Sequence, residues 1–382
     1  MSGSSMIIVT TSLVGFALAP DKSLSTLPLA AQFIAMMLTT IPAAHLLQKI
    51  GRKKGFMFAT LFGISGSSLS AVAILNGQFW VFVLGAALIG VYNGFGIYYR
   101  FAAADSVGYE YKSRAVSYIM AGGVVAAFVG PNLAGWTRDF LLTASFAGSY
   151  ASLVILYIVS LFALFFLNLP PEPVLNASDK SNNIRPLRVI AAQPMFIVAI
   201  ICGMLGYGMM VLLMTATPLA MQHCGFLFSD TRFVIQWHVF SMFAPSFVTG
   251  HLIRRFGVLN ILLSGAILGV VCIVINLIGE RVLHFWIALL FLGVSWNFLF
   301  VGATTLLTET YCPAERAKTQ ALNAFVAFTC VAASSLSAGA LQHMLGWRAV
   351  NLGVIPLLVL ILVSILWGKH RCAADNNLEK LA

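Results

Sequence analysis

The sequence has little charge. Of its 382 residues, 9% are charged and 60% are hydrophobic, whereas soluble proteins carry about 25% charged residues. Acidic side chains are the scarcer sign, because 12 Asp and Glu stand against 22 Lys and Arg and leave a formal net charge of +10. This composition excludes a soluble globular chain and indicates an integral membrane protein, whose length is counted in spans of about 20 residues.

Sequence motifs of catalysis and metal binding are also missing. The six cysteines are scattered without a CxxC pair, so we interpret them as packing residues rather than metal ligands. HExxH, GxSxG and P-loop motifs do not occur in the sequence, and no two acids lie deep enough in an apolar run to form a catalytic pair. We therefore expect a protein that is not an enzyme and holds no metal or cofactor.

Apolar runs separated by Gly, Pro or charged residues predict twelve membrane spans. They lie near 6–19, 25–48, 55–75, 78–104, 114–136, 148–169, 195–219, 230–253, 258–279, 282–308, 316–342 and 348–368. The one long polar stretch, 170–188, is rich in Pro, Asn and charge and divides the spans six and six. The sequence thus predicts an all-α membrane protein with bundles at 1–169 and 195–370, a linker at 170–194 and a tail at 371–382.

The cations predict the orientation. Loops after even-numbered spans and the C-terminal tail hold most of them: Lys49, Arg52, Lys53, Lys54, Lys112, Arg114, Lys180, Arg185, Arg188, Arg254, Arg255, Arg316, Lys318, Lys369, Arg371 and Lys380. Because cytoplasmic loops carry the excess of Lys and Arg, these loops and both termini are expected in the cytoplasm. The same loops account for the net charge without a nucleic acid partner.

Two basic stretches reveal an internal repeat. "AAHLLQKIGRKKGF" at 43–56 and "TGHLIRRFG" at 249–257 share His, two aliphatic residues, a basic residue and Gly, 206 positions apart. Each follows the second span of its own half, so the chain is a duplicated six-helix unit. Duplicated halves are typical of secondary transporters, in which two bundles move around a site near the midplane.

The first of these loops resembles a motif of the major facilitator superfamily, G-x-x-x-D-[RK]-x-G-[RK]-[RK]. Here it reads Ala44-x-x-x-Gln48-Lys49-x-Gly51-Arg52-Lys53, and the second copy reads Gly250-x-x-x-Arg254-Arg255-x-Gly257. The resemblance implies two pseudo-symmetric six-helix bundles and a gating role for Gln48, Lys49, Gly51, Arg52, Arg254, Arg255 and Gly257. Gln48 and Arg254 replace the acidic position, which weakens the case for an acid-centred gate. The alternative is that these cations only orient the loops.

A second resemblance lies in the fifth span. "GPNLAG", with Gly130, Pro131 and Gly135, is similar to the end of a motif found in antiporters of that family. The alternative interpretation is packing, since Gly and Pro in membrane helices allow close approach and kinks.

Polar and aromatic residues within spans are candidate solute contacts. In the family, helices 1, 4, 7 and 10 line the cavity, which implies contacts from Tyr92, Asn93, Trp296 and Asn297. To these we add Tyr207, Gln236 and Trp237. The aromatic rings of Tyr92, Tyr207, Trp237 and Trp296 suit a planar or amphipathic compound. The alternatives are interhelical hydrogen bonds for the asparagines and packing for the aromatic rings.

Three titratable or charged residues complete the predicted sites. His238 lies near the middle of the eighth span and is the candidate proton carrier, because imidazole titrates near neutral pH. A hydrogen-bonded buried histidine is the alternative. Arg100 and Asp105, near the cytoplasmic end of the fourth span, are placed at the inner mouth, with snorkelling or mutual pairing as the alternative.

The apolar run of the first span is short. It has 14 residues, about 21 Å of helix, against about 30 Å of hydrocarbon. We expect that the first helix lacks its start here; the alternative is a short helix tolerated by local thinning of the bilayer.

The function expected from these features is alternating-access transport of a small organic solute across the cytoplasmic membrane. Proton-coupled antiport, and hence efflux, is the first candidate mode, and uptake by a permease is the alternative. A non-transporting membrane sensor is the third. The expected partners are the solute, membrane lipid and protons, and we expect a monomer.

Overall fold

The computed structural model describes residues 1–99, 102–103, 112–141, 144–167, 185–312 and 315–379. At 112–118, 120, 316–317 and 373–379 it describes the backbone alone. Within these ranges the chain is helical and contains no β-strand. Arg100, Asp105 and most of the predicted linker lie outside the described residues.

The described part of the N-terminal half contains six α-helices. They are α1 (Ser2–Leu18), α2 (Leu27–Ile50), α3 (Arg52–Leu75), α4 (Phe79–Gly96), α5 (Lys112–Thr137) and α6 (Ala147–Phe166). A 3-10 turn, Lys22–Leu24, connects α1 to α2, and the Asp21 side chain accepts a hydrogen bond from the Ser23 N–H at its start.

The C-terminal half follows a short helix, Leu187–Ala191. It contains α7 (Pro194–His223), α8 in two segments (Phe228–Phe243 and Ser246–Phe256), α9 (Val258–Ile278) and α10 (Val282–Thr308). The last helical run, Arg316–Glu379, is divided at Gly346, whose backbone is not helical (φ 77°, ψ 176°), into α11 (316–345) and α12 (347–379). The final helix therefore continues into the residues predicted as a tail.

The helices match the predicted spans. Among the described residues, eight helical runs are long and apolar enough to cross a membrane, and α1 is a shorter apolar helix. Each of the twelve predicted spans coincides with one of α1 to α12, so the structure fits the twelve-helix prediction. The protein is an integral membrane protein of two six-helix bundles.

The repeated basic loops adopt the same backbone conformation. Gly51 ends α2 and begins α3 with φ 83° and ψ 153°, and Gly257 ends α8 and begins α9 with φ 82° and ψ 149°. Residues with a side chain rarely adopt these angles, whereas no atom lies within 4 Å of where a Cβ would stand at either position. Glycine is therefore required by the backbone and not by crowding.

Each half has its own packed interior, pinned by buried polar pairs. In the N-terminal half, the Thr11 and Tyr150 hydroxyls of α1 and α6 lie 2.8 Å apart. In the C-terminal half, Asn276 of α9 donates to the Asn351 side chain of α12 at 2.8 Å. The halves meet where α2 packs on α11, α5 on α8 and α1 on α7.

An ion pair attaches the segment before α7 to the loop between α10 and α11. Arg185 donates from Nε to Oε1 of Glu315 (2.9 Å) and from Nη2 to Oε2 (2.7 Å). The backbone N–H groups of Arg185 and Cys312 donate to the same carboxylate, whose side chain is 2% exposed. These donors, the Arg185 side chain first, lower the pKa of the Glu315 carboxyl to about 2.

Replacing Gly51 or Gly257 by Ala should destabilise the protein by about 1–3 kcal/mol, because the side chain forces a disfavoured backbone conformation. The measurement is the thermal unfolding midpoint of the purified protein in detergent. Gly250→Ala is the matched control, since Gly250 is exposed on a regular helix with space for a Cβ. Equal midpoints for all three variants would contradict the backbone argument.

Glu315→Gln should lower the thermal midpoint at neutral pH, because it removes the charge that Arg185 pairs with. The contribution of a carboxyl with a lowered pKa is complete above its unfolded pKa of about 4.3 and is lost as the pH falls toward 2. The difference in thermal midpoint between wild type and Glu315→Gln should therefore be smaller at about pH 3 than at pH 7. Exposed Glu309 provides the control Glu309→Gln; a difference that stays constant with pH would refute the charge pairing.

Candidate functional site

Five aromatic side chains from four helices of the C-terminal half meet near the middle of the membrane. We call them the central aromatic cluster: Tyr207 of α7, Phe243 of α8, Trp296 and Phe300 of α10, and Phe328 of α11. The Trp296 and Phe300 rings are stacked, with centroids 4.8 Å apart and an interplanar angle of 11°. The ring centroid of Tyr207 lies 5.6 Å from that of Trp296 and 5.8 Å from that of Phe300.

The cluster lies at the seam between the halves. A Cβ added at Gly123 of α5, in the N-terminal half, would lie 2.8 Å from the Phe243 ring. Trp296 is 6% exposed, and its Nε1–H has no hydrogen-bond partner among the described residues. A buried indole N–H normally finds an acceptor. The Nε1–H groups of Trp286 and Trp347 are unmet in the described chain as well, so it is the position of Trp296 in this cluster at the seam that makes it a place for a solute acceptor.

The N-terminal half places polar groups near the same depth. Ser4 of α1 donates to the Asn93 side chain of α4 at 3.4 Å, and both side chains are half-buried. Asn93, predicted as a solute contact, thus lies on the face of α4 turned toward α1. On the neighbouring pair of helices, Thr329 of α11 contacts the Met37 sulfur of α2 at 3.4 Å.

Two predicted solute contacts face other surroundings. Tyr92 packs against Tyr157 of α6 with ring centroids 4.7 Å apart, inside the N-terminal half. Trp237 belongs to a second aromatic group with Phe128, Phe240 and Trp286. Both placements favour the packing alternative for these rings.

Asn297 is fully buried and connects α10 to the break in α8. Its Nδ2 donates to the Met242 carbonyl (2.7 Å) and to the Ser246 hydroxyl (2.6 Å), and its Oδ1 accepts from Thr249 (2.7 Å). Pro245, which has no N–H, interrupts the helical hydrogen bonds here. Asn297 compensates for that break, which favours interhelical hydrogen bonding over solute contact.

His238 is also buried, between α8 and α10. Its Nδ1 lies 2.8 Å from the Leu289 carbonyl, so Nδ1 carries the proton of the neutral ring and donates it. Nε2 has no hydrogen-bond partner in the described part of the chain. Nε2 is therefore the nitrogen that can accept a proton. The ring lies between α8 and α10 and is not part of the central aromatic cluster.

Apart from the contact of Thr329 with Met37, the described hydrogen bonds between the halves lie at the end of the molecule opposite the basic loops, which is the outer end in the predicted orientation. Asn132 of α5 donates to the Gln236 side chain of α8 at 2.8 Å. On the opposite side, the Gly339 N–H of α11 donates to Thr26 Oγ1 at 3.1 Å, and the same hydroxyl donates to the Leu336 carbonyl at 3.3 Å. These contacts close the outer end, and we call them the outer gate. Gln236, predicted to bind solute, is part of it.

The fifth-helix motif is used in packing at this gate. Gly130 lies against the backbone of α1, where a Cβ would stand 2.8 Å from the Met6 nitrogen. Gly135 lies against the Arg232 side chain of α8, and buried Pro131 lies between the two glycines in α5. These contacts match the packing alternative and do not require antiport.

The basic loops lie at the other end. Gln48, Lys49, Gly51, Arg254, Arg255 and Gly257 are exposed, and Arg52 is half-buried. Arg254 contacts His251 at 3.3 Å, and Arg255 lies over the Phe256 ring at 5.3 Å. Their role in gating stays a prediction, as does the inner-mouth role of Arg100 and Asp105.

Sequence reasoning missed Phe243, Phe300 and Phe328. Phe300 follows Trp296 by four positions, a spacing that stacks side chains on one helical face. With 29 Phe in the chain, that spacing alone could not single it out. Among the described residues, no group of three or more His, Cys, Asp or Glu could hold a metal ion.

The model of the family described as Major Facilitator Superfamily matches residues 1–333. The chain belongs to this family. It is 41% identical over 368 residues to the riboflavin transporter RfnT of Brucella anthropi, covering 96% of this chain and 92% of the relative. It is 28% identical over 357 residues to the MFS-type transporter YdeG of Bacillus subtilis, covering 86% and 79%.

Solved structures share the fold. A D-xylose–proton symporter has a TM-score of 0.75 at 15% identity, covering 96% of this chain and 94% of that chain. A single-residue mutant of the nucleoside transporter NupG has a TM-score of 0.74 at 14% identity and 96% coverage of both. The protein is thus a membrane transporter of the major facilitator type, as the sequence predicted.

Proposed function

We propose that this protein takes up riboflavin, or a closely related flavin, across the cytoplasmic membrane by alternating access. The observation that carries the proposal is the central aromatic cluster, considered together with the 41% identity to a riboflavin transporter over nearly the whole chain. A flavin ring is planar, neutral and aromatic. It needs flat apolar surfaces and a few directional hydrogen bonds.

The cluster offers both. The stacked Trp296 and Phe300 rings and the edge of Tyr207 form a surface for a planar ring. The unmet Trp296 Nε1–H is suited to a ring carbonyl. Asn93 and Ser4, on the other half, would supply polar contacts to the hydroxylated side chain of the solute.

Alternating access requires that the seam opens at one end while it closes at the other. The outer gate rests on a few hydrogen bonds between side chains and backbone, each worth about 1 kcal/mol in membrane helices. Such contacts can break and re-form in each cycle. The interiors of the halves, with their buried polar pairs, would move as rigid bodies.

Uptake is favoured over efflux. The efflux prediction depended on the fifth-helix motif, and Gly130 and Gly135 are accounted for by packing against α1 and α8. Riboflavin is uncharged, so the membrane potential does not act on it, and net accumulation needs a coupled ion. We propose protons as that ion, with His238 as the carrier, and a cytoplasmic location for both termini.

Trp296→Leu should lower riboflavin affinity about tenfold, since stacking on an aromatic ring contributes about 1–3 kcal/mol. The measurement is uptake of radiolabelled riboflavin by a bacterial strain that cannot synthesise it and lacks its own transporter. Trp286→Leu is the matched control, because Trp286 lies on the same helix but packs against Trp237 in the second aromatic group. If wild type transports no riboflavin, the proposed substrate is wrong. If Trp296→Leu and Trp286→Leu lower riboflavin affinity equally, the riboflavin site is not at the central aromatic cluster.

His238→Gln should abolish the pH dependence of riboflavin uptake between about pH 5.5 and 7.5, because Gln can donate to Leu289 but cannot titrate. The measurement is initial uptake in reconstituted vesicles, with exposed His251→Gln as the control. If the variant has the pH profile of wild type, His238 does not carry the coupled proton. If uptake by wild type does not depend on pH, protons are not the coupled ion.

A further inference from the structure

A cavity of about 560 Å³ lies outside the central aromatic cluster. It lies where the ends of α1, α7 and α11 meet, and residues of both halves line it. Leu219, in its wall, follows Tyr207 by twelve positions on α7, which corresponds to about 18 Å along the helix axis. The cavity is therefore at the outer surface, and it is distinct from a site at the midplane.

The polar side chains of this cavity are uncharged amides, imidazoles and a hydroxyl. They are Gln222, His223, Gln342, His343 and Ser25. No Asp, Glu, Lys or Arg is among its lining residues in the described chain. Nearby Lys22 donates to the carbonyls of Phe16 and Ala19, at 2.7 and 3.1 Å, and its Nζ lies 5.2 Å from the centroid of the Phe16 ring. Asp21, the preceding residue, interacts electrostatically with His343 of the lining.

Two of these polar groups are buried without a partner. Gln342 is 8% exposed and Ser25 is fully buried, and neither Gln342 Oε1 nor Ser25 Oγ has a hydrogen-bond partner among the described residues. They are two of sixteen buried side-chain atoms without a partner in the described chain. What sets them apart is that their residues line a cavity of the size that holds small molecules. A ligand with hydrogen-bond donors would satisfy them once the two side chains rotate toward the cavity.

The cavity adjoins the outer gate. Gly339 lines the cavity, and its N–H donates to Thr26 of the gate. Ser25 is the neighbour of Thr26 and also lines the cavity. A molecule bound here would contact residues of both halves at the place where they must separate for entry from outside.

We propose that this outer cavity is a capture site for the transported solute, and that it takes a neutral, ring-containing molecule with hydrogen-bond donors. One acid, Asp21, and one base, Lys22, adjoin the cavity, so their charges offset each other. An ion would therefore lose hydration there without gaining a net opposite charge. Phe16 supplies an aromatic ring to the wall. The identity of the solute as a flavin rests on the proposed function, whereas the neutral chemistry of the site does not.

The test uses the purified full chain and two radiolabelled neutral probes, riboflavin and uridine, in equilibrium binding at pH 7.5. The variant Trp296→Leu weakens the central site about tenfold, so that probe concentrations can be chosen at which binding at the outer cavity dominates. In that background, Gln342→Leu and His343→Ala should each weaken the remaining binding about fivefold, the effect of one lost hydrogen bond. Exposed Gln78→Leu, on the same face of the membrane, is the control.

The outcomes separate the two proposals. Remaining riboflavin binding that Gln342→Leu and His343→Ala weaken, and Gln78→Leu does not, supports the capture site. Binding of uridine but not riboflavin with the same sensitivity supports the site and refutes the flavin as substrate. If neither probe binds in the Trp296→Leu background, or if the outer variants bind like the control, the capture site is overturned. His343 is exposed, so His343→Ala tests the site even if Gln342→Leu fails to fold.

Discussion

A peptide group without a hydrogen-bond partner in the hydrocarbon of a bilayer costs several kcal/mol, and this cost determines how each part of the chain is built. It makes the spans helical. At Gly51 and Gly257, where one helix ends and the next begins, a single residue has a non-helical backbone. This cost also explains Asn297, which donates to the carbonyl of Met242 beside the break in α8 at Pro245. The two segments of α8 are kept together by a side chain of α10.

The same cost changes the interpretation of polar residues within spans. Asn276 with Asn351 and Thr11 with Tyr150 pair across helices inside one half, and Asn297 makes three hydrogen bonds to protein groups. These residues are expensive to bury and are therefore paired: Asn297 uses both of its donors and one of its two acceptor lone pairs in this way. Of the buried side-chain atoms without a partner in the described chain, those of Trp296, Gln342 and Ser25 belong to residues of the central aromatic cluster and of the outer cavity.

The seam between the halves is built differently from their interiors. The interiors combine apolar packing with buried polar pairs. The described hydrogen bonds across the seam are those of Thr26 and of Asn132 with Gln236, at the outer end, and that of Thr329 with the Met37 sulfur. Gly135 brings α5 close to the Arg232 side chain of α8, and the Phe128 ring of α5 packs against Trp237 and Phe240 of α8. The seam can open as a unit, because few hydrogen bonds must break together. This is the property that alternating access needs.

The sequence by itself determined the class of protein, the twelve helices and the duplication, because hydropathy, loop charge and a 206-residue repeat are properties of the chain read in order. It also determined the glycine turns, since the backbone angles at Gly51 and Gly257 are local. The tertiary structure decided which of the candidate residues face a cavity. Trp296 and Trp286 are both tryptophans of one apolar helix, α10. The packing of α7, α8 and α11 around that helix puts Trp296 in the central aromatic cluster and Trp286 in the second aromatic group, with Trp237. In a soluble helix, the periodicity of apolar residues shows which face is buried. Nearly every residue of a span is apolar here, so that periodicity is weak. Contacts between helices distant in sequence are therefore needed to distinguish a solute-facing side chain from one that packs inside a bundle.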